Sequence, residues 1–200
     1  MKSRSKVRLS RALGVPLTPK AVRAMERRPY PPGEHGRQRR RTMSDYKERL
    51  LEKQRLRAQY NVSEGQFRRT VDRAVRSGNA GETLMVDLER RLDALALRAG
   101  FARTIYQARQ AVVHGHVTVN GRRVDRPSYR VRPGDVIEIA EGSRDKAPFL
   151  IAAAGEHAAT APPYLDVDIR DLRARLDRLP ERAEIPVDTD ERLVIEFYSR

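Results

Sequence analysis

The chain of 200 residues contains no cysteine. This excludes a disulfide framework, a thiolate zinc cage and thiol catalysis. Long apolar runs are also missing: the longest, residues 149–154, has six members, far fewer than the roughly 20 that a membrane helix needs. Behind Met1 come Lys2, Arg4, Lys6 and Arg8 with no apolar stretch, so no secretory leader is expected. Catalytic motifs are lacking too, with no Gly-x-Gly-x-x-Gly behind a strand, no Gly-Lys-Ser/Thr phosphate loop and no Gly-x-Ser-x-Gly elbow. Of the four histidines, His114 and His116 sit closest, yet no acidic partner lies at helical or hairpin spacing, so no metal is expected. Asp166, Asp168 and Asp171 read as a solvated cluster rather than a paired-carboxylate site.

What remains is positive charge. Lys+Arg number 41 against 27 Asp+Glu, a net +14. Residues 1–80 carry +15 and residues 81–200 carry −1, a pattern that points to a polyanion partner for the first part of the chain. Arginine outnumbers lysine 35 to six. Codon bias can exchange one for the other but cannot set their placement, and arginine forks phosphate and stacks on bases where lysine cannot.

Residues 1–42, broken by Pro16, Pro19, Pro29, Pro31 and Pro32, are expected to be irregular, with at most one short helix that Thr18 caps and Pro19 opens. Helices are expected from Ser44 to about Tyr60 and from Ser63, where Ser63 and Gln66 form a capping-box pair, to Gly78. Two more are expected at 83–99 and 104–114. The period then falls to two. Asn120-Gly121 between valines predicts a hairpin, and strands are expected at 128–131, 136–139 and 164–167, with a Pro133-Gly134-Asp135 turn. A short helix is expected within 149–154, and a last one after Asp190.

Three features favour nucleic acid. Arg37, Arg39, Arg40 and Arg41 crowd five residues past a stiff Pro/Gly segment. Arg49, Lys53, Arg55 and Arg57, then Arg68, Arg69, Arg73 and Arg76, recur opposite the apolar residues of two helices. Third, Arg103 and Thr104 open a helix whose exposed amides suit phosphate, Arg109 follows, and Arg122, Arg123 and Arg126 cluster at the hairpin. Two helix ends and a hairpin fit a bent RNA backbone better than base-edge reading. Three functions remain open on these grounds: a structural RNA-binding protein, an RNA-modifying enzyme with a targeting domain, and a general polyanion binder.

The run Arg91-Leu92-Asp93, Ala99-Gly100-Phe101, Ala108-Arg109-Gln110, His114-Gly115-His116-Val117-Thr118-Val119-Asn120-Gly121-Arg122-Arg123-Val124 and Pro133-Gly134-Asp135 resembles the S4-type RNA-binding module. Outside it, Glu26-Arg27-Arg28-Pro29-Tyr30-Pro31-Pro32-Gly33-Glu34-His35-Gly36, Ser44-Asp45-Tyr46, Glu52-Lys53-Gln54-Arg55-Leu56-Arg57 and the ending Leu193-Val194-Ile195-Glu196-Phe197-Tyr198-Ser199-Arg200 resemble the bacterial S4 family of small-subunit ribosomal proteins. The rest of the chain is too short for a synthase or synthetase domain, which disfavours the enzyme.

The resemblance implies an α+β fold: a mostly helical domain with an inserted S4-type module of two helices packed on a small, mainly antiparallel sheet. The expected division is a basic Pro/Arg-rich arm at 1–43, a helical domain at 44–89 completed by 184–200, and the module with its following strands at 90–183. It implies no enzyme and no cofactor, but a cytoplasmic protein of the small ribosomal subunit that binds 16S-type ribosomal RNA (rRNA) at a helix junction of the 5′ domain and nucleates assembly. Ribosomal proteins S5 and S3 would be neighbours, beside the pore through which messenger RNA (mRNA) enters, with an effect on translational accuracy. No membrane and no stable homo-oligomer are implied. Arg37, Arg39, Arg40 and Arg41 would face RNA near that pore. Arg49, Lys53, Arg55, Arg57, Arg68, Arg69, Arg73, Arg103, Thr104, Gln107, Arg109, His114, His116, Asn120, Arg122 and Arg123 would meet rRNA. Many relatives hold zinc with four N-terminal cysteines. Aligned from Glu26-Arg27-Arg28, those positions here are Val7, Ser10, Thr18 and Arg23. The chain thus resembles the zinc-free form of the family, and its arm is expected to be ordered by RNA contact.

Overall fold

The computed structural model describes residues 5–38, 43–157 and 160–199. Among them the chain runs α1 (Lys6–Leu13), α2 (Pro19–Arg27), a 3-10 turn (Glu34–Arg37), α3 (Asp45–Gln59), α4 (Glu64–Val75), α5 (Ala80–Glu89), α6 (Leu92–Arg98), α7 (Ile105–Val113), β1 (Val117–Val119), β2 (Arg122–Arg123), β3 (Val136–Ile139), α8 (Ala147–Ala153), β4 (Leu165–Asp168), β5 (Arg173–Leu176) and α9 (Glu191–Tyr198). Two compact units divide it: Met1–Arg68 with Val187–Arg200, and Arg69–Pro186. Both helices and an antiparallel sheet are present, the α+β class that the sequence implies.

In the first unit, Thr18 caps α2 by accepting from the Ala21 amide at 3.3 Å, with Pro19 at the first helical position. The arm is more regular than expected, because α1 precedes that helix. Ser5 supplies no side-chain cap to α1, so tertiary contacts hold it. Leu13 and Ala21 are buried, Gly14 closes α1 in the left-handed region at φ 72°, and the Arg55 Nε donates to the Leu13 carbonyl at 2.8 Å. RNA contact is therefore not the sole source of order for residues 5–38. Nor do these residues fit a zinc ion. Ser10 Oγ donates to the Lys6 carbonyl (2.8 Å) and accepts from the Leu17 amide (3.1 Å). With Thr18 engaged as a cap, two of the four positions aligned with cysteine form hydroxyl hydrogen bonds instead.

Helix α9, capped as expected by Asp190, packs on α3. Arg49 Nε meets Glu196 Oε2 at 2.7 Å. Glu52 Oε1 accepts from Thr189 Oγ1 (2.8 Å) and from the Asp190 amide (3.2 Å). Lys53 Nζ bonds both Glu64 oxygens at 3.0 and 3.1 Å and lies 4.5 Å from the Phe197 ring centroid, and the Tyr198 hydroxyl donates to Glu64 at 2.6 Å. Burial works against ionising Glu64, but the Tyr198 and Lys53 hydrogen bonds and the Lys53 and Arg57 charges outweigh it and hold its carboxyl below the ordinary glutamate range. A carboxyl depressed in the folded state contributes stability that is present above its unfolded value and lost as pH falls through the folded one. Thermal midpoints recorded from about pH 6 down to about pH 3 should fall on the acid side, and Glu64→Gln should flatten that fall. A Glu64→Gln protein with an unaltered acid limb would show that this carboxylate is not the coupling group.

The second unit is built on one sheet of order β2-β1-β3-β5-β4, antiparallel throughout. Strand β5 alternates exposed arginine with buried Ala174 and Leu176, and β3 buries Ile137 and Ile139, so one face stays wet and the other meets helices. Leu92, Leu95, Phe101, Ala108 and Val112 of the α6–α7 segment fill that face together with Phe149 and Tyr164. Asn120 (φ 50°) and Gly121 (φ 74°) make the expected hairpin turn. The Pro133-Gly134 turn also forms, with Gly134 at φ 89° and the Asp135 amide on the Arg132 carbonyl.

Three expectations differ from the structure. The helix expected at 83–99 is broken into α5 and α6, because the chain between them is drawn extended: Leu92 N donates to the Tyr129 carbonyl and Val131 N to the Arg90 carbonyl. The strand expected at 128–131 shrinks to a single bridge between Arg130 and Arg91. Gly78 does not close α4 as a left-handed cap. The helix stops at Val75, and Ser77 Oγ bonds the Ala74 carbonyl at 2.6 Å. The sequence reading also leaves β5 unassigned.

Candidate nucleic-acid interface

The two rows of cations on α3 and α4, alike in sequence, are used differently. On α3 they are engaged by the protein. Arg49 holds Glu196, and Lys53, with its side chain 5% exposed, holds Glu64. Arg55 is shared between the Leu13 carbonyl and Glu52. Arg57 bonds Gln54 at 2.7 Å and Glu64 at 3.3 Å. These four, expected to meet RNA, build the first unit, and Lys53 is too buried to meet a ligand. On α4, Arg68 and Arg69 are exposed, and their side chains have no ion pair or hydrogen bond among the described residues. Arg73 is half-exposed beside Asp87 at 3.3 Å.

In the second unit, Thr104 Oγ1 accepts from the Gln107 amide (3.2 Å) and Gln107 Oε1 accepts from the Arg103 amide (3.0 Å). These two residues thus cap α7, and the amides expected to lie open to phosphate are partly satisfied by them. The Arg103 side chain is exposed and unpaired among the described residues. Arg109 reaches toward buried Asp93 at 3.7 Å. At the hairpin, Arg122 is exposed and unpaired. Arg123 crosses over Gly115 to bond the His114 carbonyl at 3.2 Å. Gly115 is favoured there by its φ of 69°, and a Cβ at this position would push the Arg123 guanidinium aside.

Asn120 is committed to the fold. Its Nδ2 donates to Asp135 (2.8 Å) and its Oδ1 accepts from the Val136 amide (2.9 Å). His116 pairs with Ser143 Oγ at 2.9 Å and lies edge-on to Phe149. Burial, reinforced by the charges of Lys146, His114 and Arg123, lowers its pKa, so the ring is neutral at pH 7. His114 is exposed. Lys146, whose charge reaches His116, was not singled out from the sequence; it stands 30 residues beyond the histidine, with no local signal. Arg37 is exposed and donates to the Tyr30 hydroxyl at 3.0 Å. Arg39, Arg40 and Arg41 lie outside the described residues. No group of three or more His, Asp or Glu placed to share a metal ion occurs among the described residues.

Each unit therefore offers exposed guanidiniums without counter-ions, Arg68 in the first and Arg69, Arg103 and Arg122 in the second. Others that look equivalent in sequence are tied to carboxylates. Guanidiniums of the first kind suit phosphate, which they contact bidentately.

Comparison with known proteins agrees with this chemistry. A family model described as the ribosomal protein S4/S9 N-terminal domain matches residues 2–89, and one described as the S4 domain matches residues 90–137. A protein of Streptomyces griseus named small ribosomal subunit protein uS4 is 61% identical over 201 aligned positions, covering 99% of this chain and 98% of its own. Its namesakes in Beutenbergia cavernae and Micrococcus luteus are 60% and 57% identical, each covering 100% of this chain and 98% of their own.

Proposed function

Because the chain belongs to the S4 family of small-subunit ribosomal proteins, which is structural and non-enzymatic, we propose that it binds 16S-type rRNA directly at a helix junction of the 5′ domain and nucleates assembly of the small subunit. Its place is the small ribosomal subunit in the cytoplasm. Ribosomal proteins S5 and S3 are its proposed neighbours, and mRNA passes close by where it enters, so that the protein affects translational accuracy.

The observation that carries the RNA reading is the set of exposed, unpaired guanidiniums at Arg68, Arg69, Arg103 and Arg122. Arg37, Arg73 and Arg123 keep exposed positive charge while bonding a neighbour, and Arg39, Arg40 and Arg41 add to it from the sequence. Arg109, His114 and His116 are further proposed RNA contacts of the module, His116 as a neutral ring. Thr104, Gln107 and Asn120 act by fixing the α7 start and the hairpin. Phosphate contacts of this kind read backbone shape, as suits A-form RNA.

A general polyanion binder is the competing reading. Filter binding with a 5′-domain rRNA fragment against random RNA of equal length separates the two. Preference by about 10³-fold or more is expected of a specific site. Equal affinity, with failure to remain on small subunits through a high-salt wash, would leave only the nonspecific binder.

A further inference from the structure

The first unit contains a cavity of about 630 Å³ lined by Arg11, Arg28, Tyr30, Pro31, Gly36 and Arg37, among others, within the range of small-molecule sites. Its wall is stiff. Pro29 and Pro31 fix φ along it. A Cβ on Gly36 would stand 2.1 Å from the Pro31 carbonyl, so only glycine lets that turn close. From α1, Arg11 clamps the other side, its Nε and Nη2 donating to the Tyr30 carbonyl at 3.1 and 2.9 Å.

Onto this wall converge three cations and no carboxylate. The guanidinium carbons of Arg11 and Arg37 each lie 5.1 Å from the Tyr30 ring centroid. Arg28 makes no side-chain hydrogen bond or ion pair among the described residues. Like charges gathered with no counter-ion are preorganised for an anion, and a tyrosine with an arginine plane is a stacking surface for a base.

We propose that the cavity takes one unstacked nucleotide of single-stranded RNA, its phosphate between Arg28 and Arg37 and its base stacked on the Arg37–Tyr30 pair. The inference rests on the RNA-binding reading and narrows it to a strand segment. The wall favours a phosphodiester over a free nucleoside polyphosphate. Polyphosphates are cradled by successive backbone amides, and Pro29 and Pro31 offer no such amides in this wall, leaving isolated guanidiniums that suit one charge at a time. The Arg37 hydrogen bond, with the charges of Arg37, Arg28 and Arg11, also lowers the Tyr30 pKa, as a net positive field at the ring requires.

The test uses the full-length protein and a short single-stranded RNA bearing 4-thiouridine. Photo-crosslinks are mapped by mass spectrometry, and binding to the 5′-domain rRNA fragment is measured in parallel. Crosslinks should map to residues 28–37 and fall about tenfold in Tyr30→Leu and in Arg28→Ala, while Tyr30→Phe keeps most of the yield. Inorganic phosphate should compete weakly and uridine monophosphate only at millimolar levels. Competition by micromolar uridine monophosphate would overturn the assignment to RNA in favour of a free nucleotide. Full affinity for the rRNA fragment without crosslinks at these residues would overturn the cavity proposal and leave the proposed function standing. Crosslinking at Tyr30 without any rRNA-fragment binding would overturn the proposed function instead.

Discussion

Replacing Asp93 by alanine should destabilise the second unit by about 3–5 kcal/mol, the usual loss when one member of a buried ion pair is removed. Asp93 is fully buried, and both its oxygens accept from the Arg91 fork, at 2.9 and 2.8 Å; the Ala94 amide adds a third bond at 3.1 Å. Without the carboxylate, Arg91 remains buried and unpaired at the break between α5 and α6. Buried pairs of this kind commonly bring no net gain over apolar residues of similar volume. Burial raises the Asp93 pKa even against Arg91 and Arg109. A carboxyl raised in the folded state binds protons more readily there, so this residue adds no acid lability, the reverse of Glu64. A double substitution, Arg91→Met with Asp93→Leu, should therefore recover much of the stability that Asp93→Ala loses. Urea unfolding of the three proteins measures this. A double variant as unstable as the single one would mean that the charges themselves, rather than the cost of an unpaired partner, hold the break.

The second result concerns two pairs of cations that the sequence presents as equivalents. Arg68→Ala with Arg69→Ala should weaken rRNA binding by about a hundredfold and flatten the salt dependence by up to about two units, with melting unchanged. Lys53→Ala with Arg55→Ala should lower melting of the first unit and leave the slope of the remaining folded protein as it was. Removing Lys53 takes from Glu64 its most buried partner, leaving Tyr198 and Arg57, and removing Arg55 releases the Leu13 carbonyl. If the Arg68/Arg69 protein keeps the wild-type slope, those side chains do not meet phosphate, and the exposed face of α4 is not part of the interface.

The contrast between those pairs marks how far the sequence can be read. Local signals hold wherever one residue decides the backbone: Thr18, Ser44 and Asp190 each cap a helix as expected, and Asn120-Gly121 turns the hairpin. Periodicity fails where a distant partner wins. The leucine pattern across 83–99 is continuous, yet hydrogen bonds from the segment around Tyr129 break the helix at Arg91. No window of sequence contains both partners. The same limit governs the site. A period of 3.6 separates an apolar face from a charged one, but it cannot tell that the charges on α3 face Glu64 and Glu196 while those of Arg68 and Arg69 face solvent. Nor could spacing reveal that Gln107 and Asn120 serve the fold directly, because their partners are backbone amides and Asp135.

The packing of α9 on α3 also has a consequence in time. Arg49 and Glu196 are 147 positions apart, and Tyr198 and Glu64 are 134 apart. A chain made from its N-terminus exposes α3 long before α9 exists. At about 5–20 residues per second, on the order of ten seconds separate the two. The second unit is continuous and can close during that interval; the first cannot. Until the tail arrives, Arg49 and Lys53 have no covering helix, and the nascent chain carries more bare positive charge than the finished one. Completion of the first unit thus waits for the synthesis of α9, and the docking of that helix is the step that withdraws those cations from solution.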